Sequence, residues 1–410
     1  RDLRSGQSGE RRLRVAVDRQ TFDETMRGFG AKAFVAVPNR LAGAKNPLVL
    51  GFELGDMKAF RPEALAEAIP AARDLLKLRG ALADLRGAKL VVADVRRVLA
   101  SLENRSFALD RVRSALDAAE APTAPPSPTA SSSTTGGGLD ALFEQVLAPD
   151  AALGAASRGA DLDRLDAVVR RLVRSSRESE SADPRAVEAA IREIDAAVSA
   201  QVDAVLHHPE MRRLEAAWRG LKFLVDRSDA EKGVRIEVLA CGREQLLSAL
   251  DETVVEPESQ GISAEPVGFV VADFVFDKTP EDVDLLQGLA ERGAALSAPV
   301  LVSVGAPFLG LASAGDLAGK PGIKNVFASP EYVKWLGLRQ SGPSRWLGAA
   351  FNRYLARPPY APGALTARGF DYVEGAADGS GAVHLWSSAA WAVATLAVRS
   401  FARIGWCTDM

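Results

Sequence analysis

"VGFVVADFVFDKTPEDVDLLQGLAERGAALSAPVLVSV", residues 267–304, decides the fold class. Its first ten residues, Val267 to Phe276, are almost continuously apolar, as a strand covered on both faces is. Thr279-Pro280-Glu281-Asp282 then starts a helix. Threonine caps the free N–H groups, proline suits the first turn, and the acids face the positive end of the helix dipole. Pro299 to Val304 is a second apolar run of strand length. Strand, helix and strand at this spacing form a βαβ unit with parallel strands.

Upstream of this unit, Val234, Ile236 and Val238 alternate as a strand. Before them lie two helices. Asp183-Pro184 caps the first, whose apolar residues Val187, Ile191, Ile194, Val198, Val202 and Val205 form one stripe at spacings of three and four. Pro209 breaks it, and a second stripe follows: Met211, Leu214, Trp218, Leu221 and Val225. Arg212, Arg213, Arg219 and Lys222 occupy the opposite face and read as solvated. The chain from 139 is therefore a helical region, 139–230, followed by an α/β domain, 231–410.

Ahead of the helical region stands "APTAPPSPTASSSTTGGG", residues 121–138, with no large apolar side chain and no charge. Such a stretch cannot bury enough surface to offset the entropy of ordering it and is expected to be a disordered linker. Residues 1–120 form a separate unit. Leu13–Val17, Ala33–Val37 and Leu48–Leu54 read as strands, the last with Leu48, Leu50, Phe52 and Leu54 on one buried face. Thr21-Phe-Asp-Glu24 is a capping-box pattern. One helix starts at Pro62, and a second follows Pro70 carrying Leu75, Leu76, Leu78, Leu82 and Leu85. A third is expected from about Val91 to Leu116.

The bulk numbers are those of an ordinary globular chain: 410 residues, 47% hydrophobic, 25% charged, net charge −3. That length suggests two or three domains. Residues 1–120 carry 22 Lys and Arg against 16 Asp and Glu, net +6, which leaves −9 for the remainder. Opposite signs favour two halves that dock on each other, and neither half is basic enough for nucleic acid. Two cysteines, Cys241 and Cys407, fit a reducing compartment. No apolar run reaches the roughly 18 residues needed to insert in a membrane. The chain starts at Arg1 with no signal-peptide pattern, so its start is expected to have been trimmed.

A search for chemistry finds no catalytic constellation. Gly315-Asp-Leu-Ala-Gly319-Lys320-Pro321 imitates a phosphate loop but is one residue short, with proline where the metal-binding hydroxyl belongs. His207 and His208, adjacent on a helix, point about 100° apart and read as helix-end residues, not metal ligands. Glu281, Asp282 and Asp284 read as first-turn acids. Cys407 has no histidine nearby and reads as a buried thiol. Arg170-Arg171 reads as a solvated helix face. No cofactor, metal or catalytic residue is expected.

Seven stretches carry a family resemblance. In the first half they are "FDETM" at 22–26, "VPNRL" at 37–41 and "FRPEALAEAIPAARDLLKLRGAL" at 60–82. In the second they are "LHHPEMRRLEAAWRGLKFLV" at 206–225, "ADFVFDKTPEDVDLL" at 272–286, "RWLGAAFNRYLARPPY" at 345–360 and "SFARIGWC" at 400–407. The first half resembles the small subunit (TssB or VipA) of the type VI secretion contractile sheath, and the second resembles the large subunit (TssC or VipB). The family usually has proline ahead of the position of Arg353, where this chain has Asn352.

This resemblance implies a mixed α/β, intertwined contractile tail-sheath fold, with both subunits fused into one polypeptide. The linker, spanning on the order of 25 Å, holds the partners at roughly millimolar effective concentration. Trp218, Arg219, Asp273, Pro280, Glu281, Asp282, Arg353, Arg357, Tyr360 and Trp406 fall in the family motifs as structural residues. The implied role is mechanical. Protomers polymerise around an inner tube of Hcp hexamers above a baseplate, in the bacterial cytoplasm, and contraction propels the tube. Leu139, Leu142, Phe143, Val146 and Leu147 make an apolar stripe where the family carries the docking helix of a ClpV-type AAA+ ATPase. Copies are linked by strand exchange. The resemblance puts the small subunit's arm before Arg1 and the large subunit's after Met410, so these 410 residues alone are expected not to form a sheath. Other readings are a related phage-tail-like contractile particle, a non-catalytic adaptor, and a nucleotide hydrolase, which would need the phosphate loop this chain lacks.

Overall fold

A computed structural model of the chain describes residues 14–41, 47–104, 108–114, 167–176, 179–263, 265–319, 322–375 and 384–405. The first half opens with β1 (Arg14–Val17) and α1 (Phe22–Phe29), followed by the antiparallel pair β2 (Lys32–Val37) and β3 (Leu48–Glu53). Helices α2 (Pro62–Ala68), α3 (Pro70–Arg86) and α4 (Val92–Ser101) follow, and residues 108–114 are helical as well. Two local expectations are corrected. The Thr21 side chain does not cap α1. Asp18 organises the turn instead, its Oδ1 accepting from the N–H groups of Gln20 and Thr21, each at 2.8 Å. The helix expected to run unbroken to about Leu116 is interrupted: it stops at Ser101, Leu102 is extended and buried, and the chain is helical again over 108–114. Asn104 donates from its backbone and its side-chain amide to the buried Asp74, both at 3.0 Å, and this anchors the break.

The second half follows with a small hairpin, β4 (Val173–Ser176) and β5 (Ser179–Ala182), then α5 (Pro184–Leu206) and α6 (Pro209–Val225). The stripes predicted for α5 and α6 are buried. The cationic face of α6 is not solvated as a whole. Glu215, Ala216, Ala217 and Gly220 are buried too, Arg212 donates to His384 O at 2.6 Å, and Arg219 turns onto Glu215. Strand β6 (Ile236–Leu239) pairs antiparallel with β1, so the first sheet contact in the chain joins its two halves. One hydrophobic core runs from Val17 through α3 and α5 to Trp218 and Val398. Around it, Arg79 clamps Asp195 at 2.6 and 3.0 Å, Arg86 pairs with Glu188, and Arg111 meets Glu193 at 3.1 Å. In each of these pairs the first half supplies the cation and α5 the acid.

Beyond β6 comes a helical run over 243–259, then β7 (Val270–Phe276), α7 (Pro280–Leu296) and β8 (Val300–Val304), the predicted βαβ unit with parallel strands. A short helix, α8 (Val333–Gln340), leads to a third parallel strand, β9 (Leu347–Phe351), beside β8. Its sequence, LGAAF, has little β-propensity. Gly348 fits because a Cβ there would lie 2.7 Å from the Leu301 side chain. The sheet has two dressed faces. Ala272, Phe274, Phe276, Val300, Val302 and Val304 enter a second core with α7, whereas Val271 and Leu301 pack on the first core. Cover is incomplete at one end of β7, where Val275 is 45% exposed.

The chain then changes sheet in a single residue. β10 (Arg353–Arg357) pairs with β11 (Leu385–Ser388), and α9 (Ala389–Ile404) follows directly to pack on the first-core side of the sheet. The switch is Asn352, at φ 79°, whose Oδ1 accepts from Arg353 N at 2.8 Å. Asparagine tolerates this left-handed geometry and proline cannot adopt it. Asn352→Pro is expected to cost at least about 2 kcal/mol, and Asn352→Gly to stay near neutral; urea midpoints for the two variants check this.

Candidate functional site

Pro358 and Pro359 stop β10, and the chain from 358 to 375 crosses α5 as a strap without regular structure. Ser199 and Asp203 on α5 and His207 at its C-cap, spaced by four, receive it. Ser199 Oγ donates to Asp371 O at 3.4 Å. Asp203 accepts from the Tyr372 hydroxyl at 2.5 Å and from Gly375 N at 3.3 Å. His207 Nε2 lies 3.1 Å from Glu374 Oε1. This spacing places all three on one face of the helix.

Arg357, at the end of β10, closes the strap. Its Nη1 and Nη2 donate to the Glu374 carboxylate at 2.6 and 3.1 Å, and its Nε donates to Glu215 Oε1 at 2.9 Å. Arg219 Nε reaches the same Glu215 oxygen at 2.7 Å. Tyr360 N donates to Glu374 Oε2 at 3.0 Å, Glu374 N donates to Tyr360 O at 2.7 Å, and the guanidinium lies 4.7 Å from the Tyr360 ring. Two arginines thus face two glutamates, and Arg357, Glu215 and Glu374 are buried. Buried charge is tolerated only when paired and hydrogen-bonded in this manner.

Electrostatics follow from that geometry. Burial alone raises the Glu374 carboxyl, but hydrogen bonds from His207, Arg357 and Tyr360 N and the charge of Arg357 bring it down to about 2. Burial lowers the Arg357 guanidinium, yet the two glutamates hold its net value above the ordinary one. Burial raises Asp203 and Tyr372. A carboxylate with a depressed folded value stabilises the fold at pH above its unfolded value and loses that contribution as pH falls through the folded one. For Glu374 the window runs from about 4.5 down to about 2, and the contribution is about 3 kcal/mol. Asp203 has the opposite sign, its contribution fading as pH rises through its raised value, and so offsets part of the gain. Urea midpoints are expected to fall steeply below pH 4.5, and more shallowly in Glu374→Gln.

A second feature lies on the other side of α6. A cavity of about 690 Å³ opens between β6 and β7, walled along both strands by residues 233–239 and 265–274. Leu221, Leu224, Val398 and Phe401 make its floor, with Trp391, whose buried Nε1 has no hydrogen-bond partner. Among the described residues β6 pairs only with β1, and β7 only with β8. Two strand edges therefore border one groove, apolar along its floor and carrying Arg14, Arg235, Glu237, Glu265 and Asp273 in its walls. Trp391 also presses on α6, where a Cβ at Gly220 would lie 2.4 Å from its ring.

The motif residues are spread between these features. Trp218 is buried between α1 and α6. Arg219, Arg357 and Tyr360 belong to the ion network, and Asp273 lines the groove. Pro280, Glu281 and Asp282 form the first turn of α7; Thr279 caps it, and Asp282 pairs with Arg243 and accepts from Asp277 N at 2.6 Å. Arg353 is exposed on β10. His207 and His208 do end one helix and begin the next. Trp406, Cys407 and the 139–147 stripe lie outside the described residues, as do Lys320 and Pro321. Glu215, Asp203, Glu374 and Tyr372 escaped the sequence reading. Only Glu215 left a local signal, an acid between Leu214 and Ala216.

Comparison with known proteins finds two family matches along the chain. Residues 188–410 match the family described as EvpB/VC_A0108, tail sheath N-terminal domain (VipB), and residues 4–117 match type VI secretion system, VipA, VC_A0107 or Hcp2. The first match spans more than half the chain, which therefore belongs to the VipB tail-sheath family, with a VipA-type unit fused ahead of it. Over 237 residues it is 32% identical to the type VI secretion system sheath protein TssC1 of Pseudomonas aeruginosa, covering 55% of this chain and 48% of that protein. The chain thus spans about half the length of the curated relative it matches.

Proposed function

We propose that this chain is the structural protomer of a type VI contractile sheath, and that successive copies are tied by a strand donated into the groove between β6 and β7. The observation that carries this reading is the groove itself. A trough with an apolar floor and a strand edge on each side supplies the backbone hydrogen bonds and side-chain pockets that β-strand addition uses. The role is mechanical, without catalysis or cofactor. Work comes from the difference in contact energy between two packings of one subunit. That demands a protomer that does not deform, and the common core and the Arg357 network supply the rigidity.

In this reading the polymer surrounds Hcp hexamers above a baseplate in the bacterial cytoplasm. A ClpV-type ATPase takes hold at Leu139, Leu142, Phe143, Val146 and Leu147. Negative-stain microscopy of the full gene product is expected to show regular tubes. Phe401→Glu puts a charge on the groove floor and should reduce the assembled fraction more than about tenfold. Discrete particles from the parent protein would refute the sheath reading. Tubes from Phe401→Glu at parent concentration would move the joint elsewhere.

A further inference from the structure

The ribbon β10–β11 carries an outward face that the groove does not use. Leu355 and Trp386 stand directly opposite each other in register, each 41% exposed. Arg353 is exposed beside them, its guanidinium carbon 5.7 Å from the Trp386 ring centroid, and the His384 ring lies 5.8 Å from that of Trp386. The alternate residues turn inward: Ser387 Oγ donates to Ala216 O at 3.1 Å, and Tyr354 stacks on Phe223 at 4.9 Å. A half-exposed tryptophan flanked by arginine is the composition enriched at the centre of protein interfaces, and Leu355 adds apolar area beside it.

Across the three-stranded sheet, the helical run 243–259 shows the complementary chemistry. Leu246, Ala249, Leu250 and Val254 enter the second core. Glu244, Ser248, Glu252, Glu256 and Gln260 recur every fourth residue and are all exposed, ending beside Ile262, which is 70% exposed. The surface is therefore an acidic stripe with an apolar end. The run belongs to the core on the α7 face of the sheet, whereas the ribbon and α9 belong to the opposite face, where Val271 and Leu301 meet the first core.

We propose that the ribbon face of one copy docks on the acidic stripe of the next, with Trp386 and Leu355 against Ile262 and Arg353 among Glu252 and Glu256. The proposal rests on the sheath reading and adds a second, lateral joint to it. Two different surfaces on opposite sides of one molecule make a heterologous contact, which propagates as an open helix unless it closes into a ring. Opposite charge across the contact fixes partner and register.

The test is a charge exchange in the full gene product, read by pelleting and negative-stain microscopy. Arg353→Glu and Glu256→Arg are each expected to raise the concentration needed for assembly by about tenfold, and Trp386→Ala by a similar factor, with melting curves close to the parent's. A chain carrying both charge changes should recover part of the loss, because the 353–256 pair is restored with its signs reversed while Glu252 stays acidic. Parent-like assembly by Arg353→Glu and Trp386→Ala overturns this contact and leaves the sheath reading intact. Impaired single variants that the double change does not rescue overturn it as well, and assign the ribbon face to another partner. Failure of the parent protein itself to assemble refutes the sheath reading instead.

Discussion

Arg357→Ala is expected to destabilise the chain by about 3–5 kcal/mol, the loss found when one partner of a buried ion pair is removed. The side chain of Arg357 is 3% exposed and touches two carboxylates whose side chains are fully buried. Among the described residues, removing it leaves Glu374 with His207 and the Tyr360 N–H as hydrogen-bond donors and Glu215 with Arg219, beside the charge of half-buried Arg212. It also releases the strap, since the stacking on Tyr360 goes with the guanidinium. The penalty belongs to the stranded charges more than to the lost bonds. A triple change, Arg357→Met with Glu215→Leu and Glu374→Leu, should therefore be less damaging than Arg357→Ala alone. Urea unfolding measures both, and a loss under about 1 kcal/mol in the single variant is incompatible with a desolvated network.

Trp218→Ala has the next largest expected effect, about 3–5 kcal/mol for a fully buried aromatic. Its position makes the consequence specific. The indole is completely buried and meets Phe22 at 5.9 Å, edge to face, and Phe29 at 6.0 Å, both on α1. The cavity would open on the seam between the VipA-type and VipB-type units. Protease cleavage within residues 121–138 should leave the parent fragments co-eluting in size exclusion, held by the common core, β1–β6 pairing and the Arg79–Asp195 clamp. After the same cut, Trp218→Ala fragments are expected to separate at low micromolar concentration. Continued co-elution together with an unchanged unfolding midpoint would show that the seam does not depend on the indole.

The elements legible in the sequence share a physical cause, which is that their signal is local. Pro184 and Pro209 mark helix starts because the first turn needs no N–H from them. The stripe from Val187 to Val205 and the one from Met211 to Val225 give helices by period alone. Thr279 and Pro280 announce α7 between two apolar runs, and the structure supplies the parallel β7–α7–β8 unit they imply. The long ordered motifs identified both sheath subunits on either side of residues 121–138. Even the opposite charges of the halves found a concrete form, as three arginines of the first half on three acids of α5.

Tertiary structure decided what no window of residues contains. Glu215 and Arg357 are 142 positions apart, and His207 and Glu374 are 167 apart. Each is an ordinary polar residue until folding removes the water that would otherwise solvate it, and only then does pairing become obligatory. Strand β9 exists because β8 offers an edge and Leu301 requires a glycine opposite, not because LGAAF favours a strand. The capping box at Thr21 lost to a nearby Asp18, and the helical stretch expected to run on past Ser101 is broken after it by the hydrogen bonds of buried Asp74 before resuming at 108–114. The sequence by itself determined the helices, the βαβ unit and the two fused subunits, because those signals lie within a few turns of chain. The ion network, the groove between β6 and β7 and the change of sheet at Asn352 were decided only by folding, because each depends on which surfaces are left to satisfy one another once the two halves close on a common core.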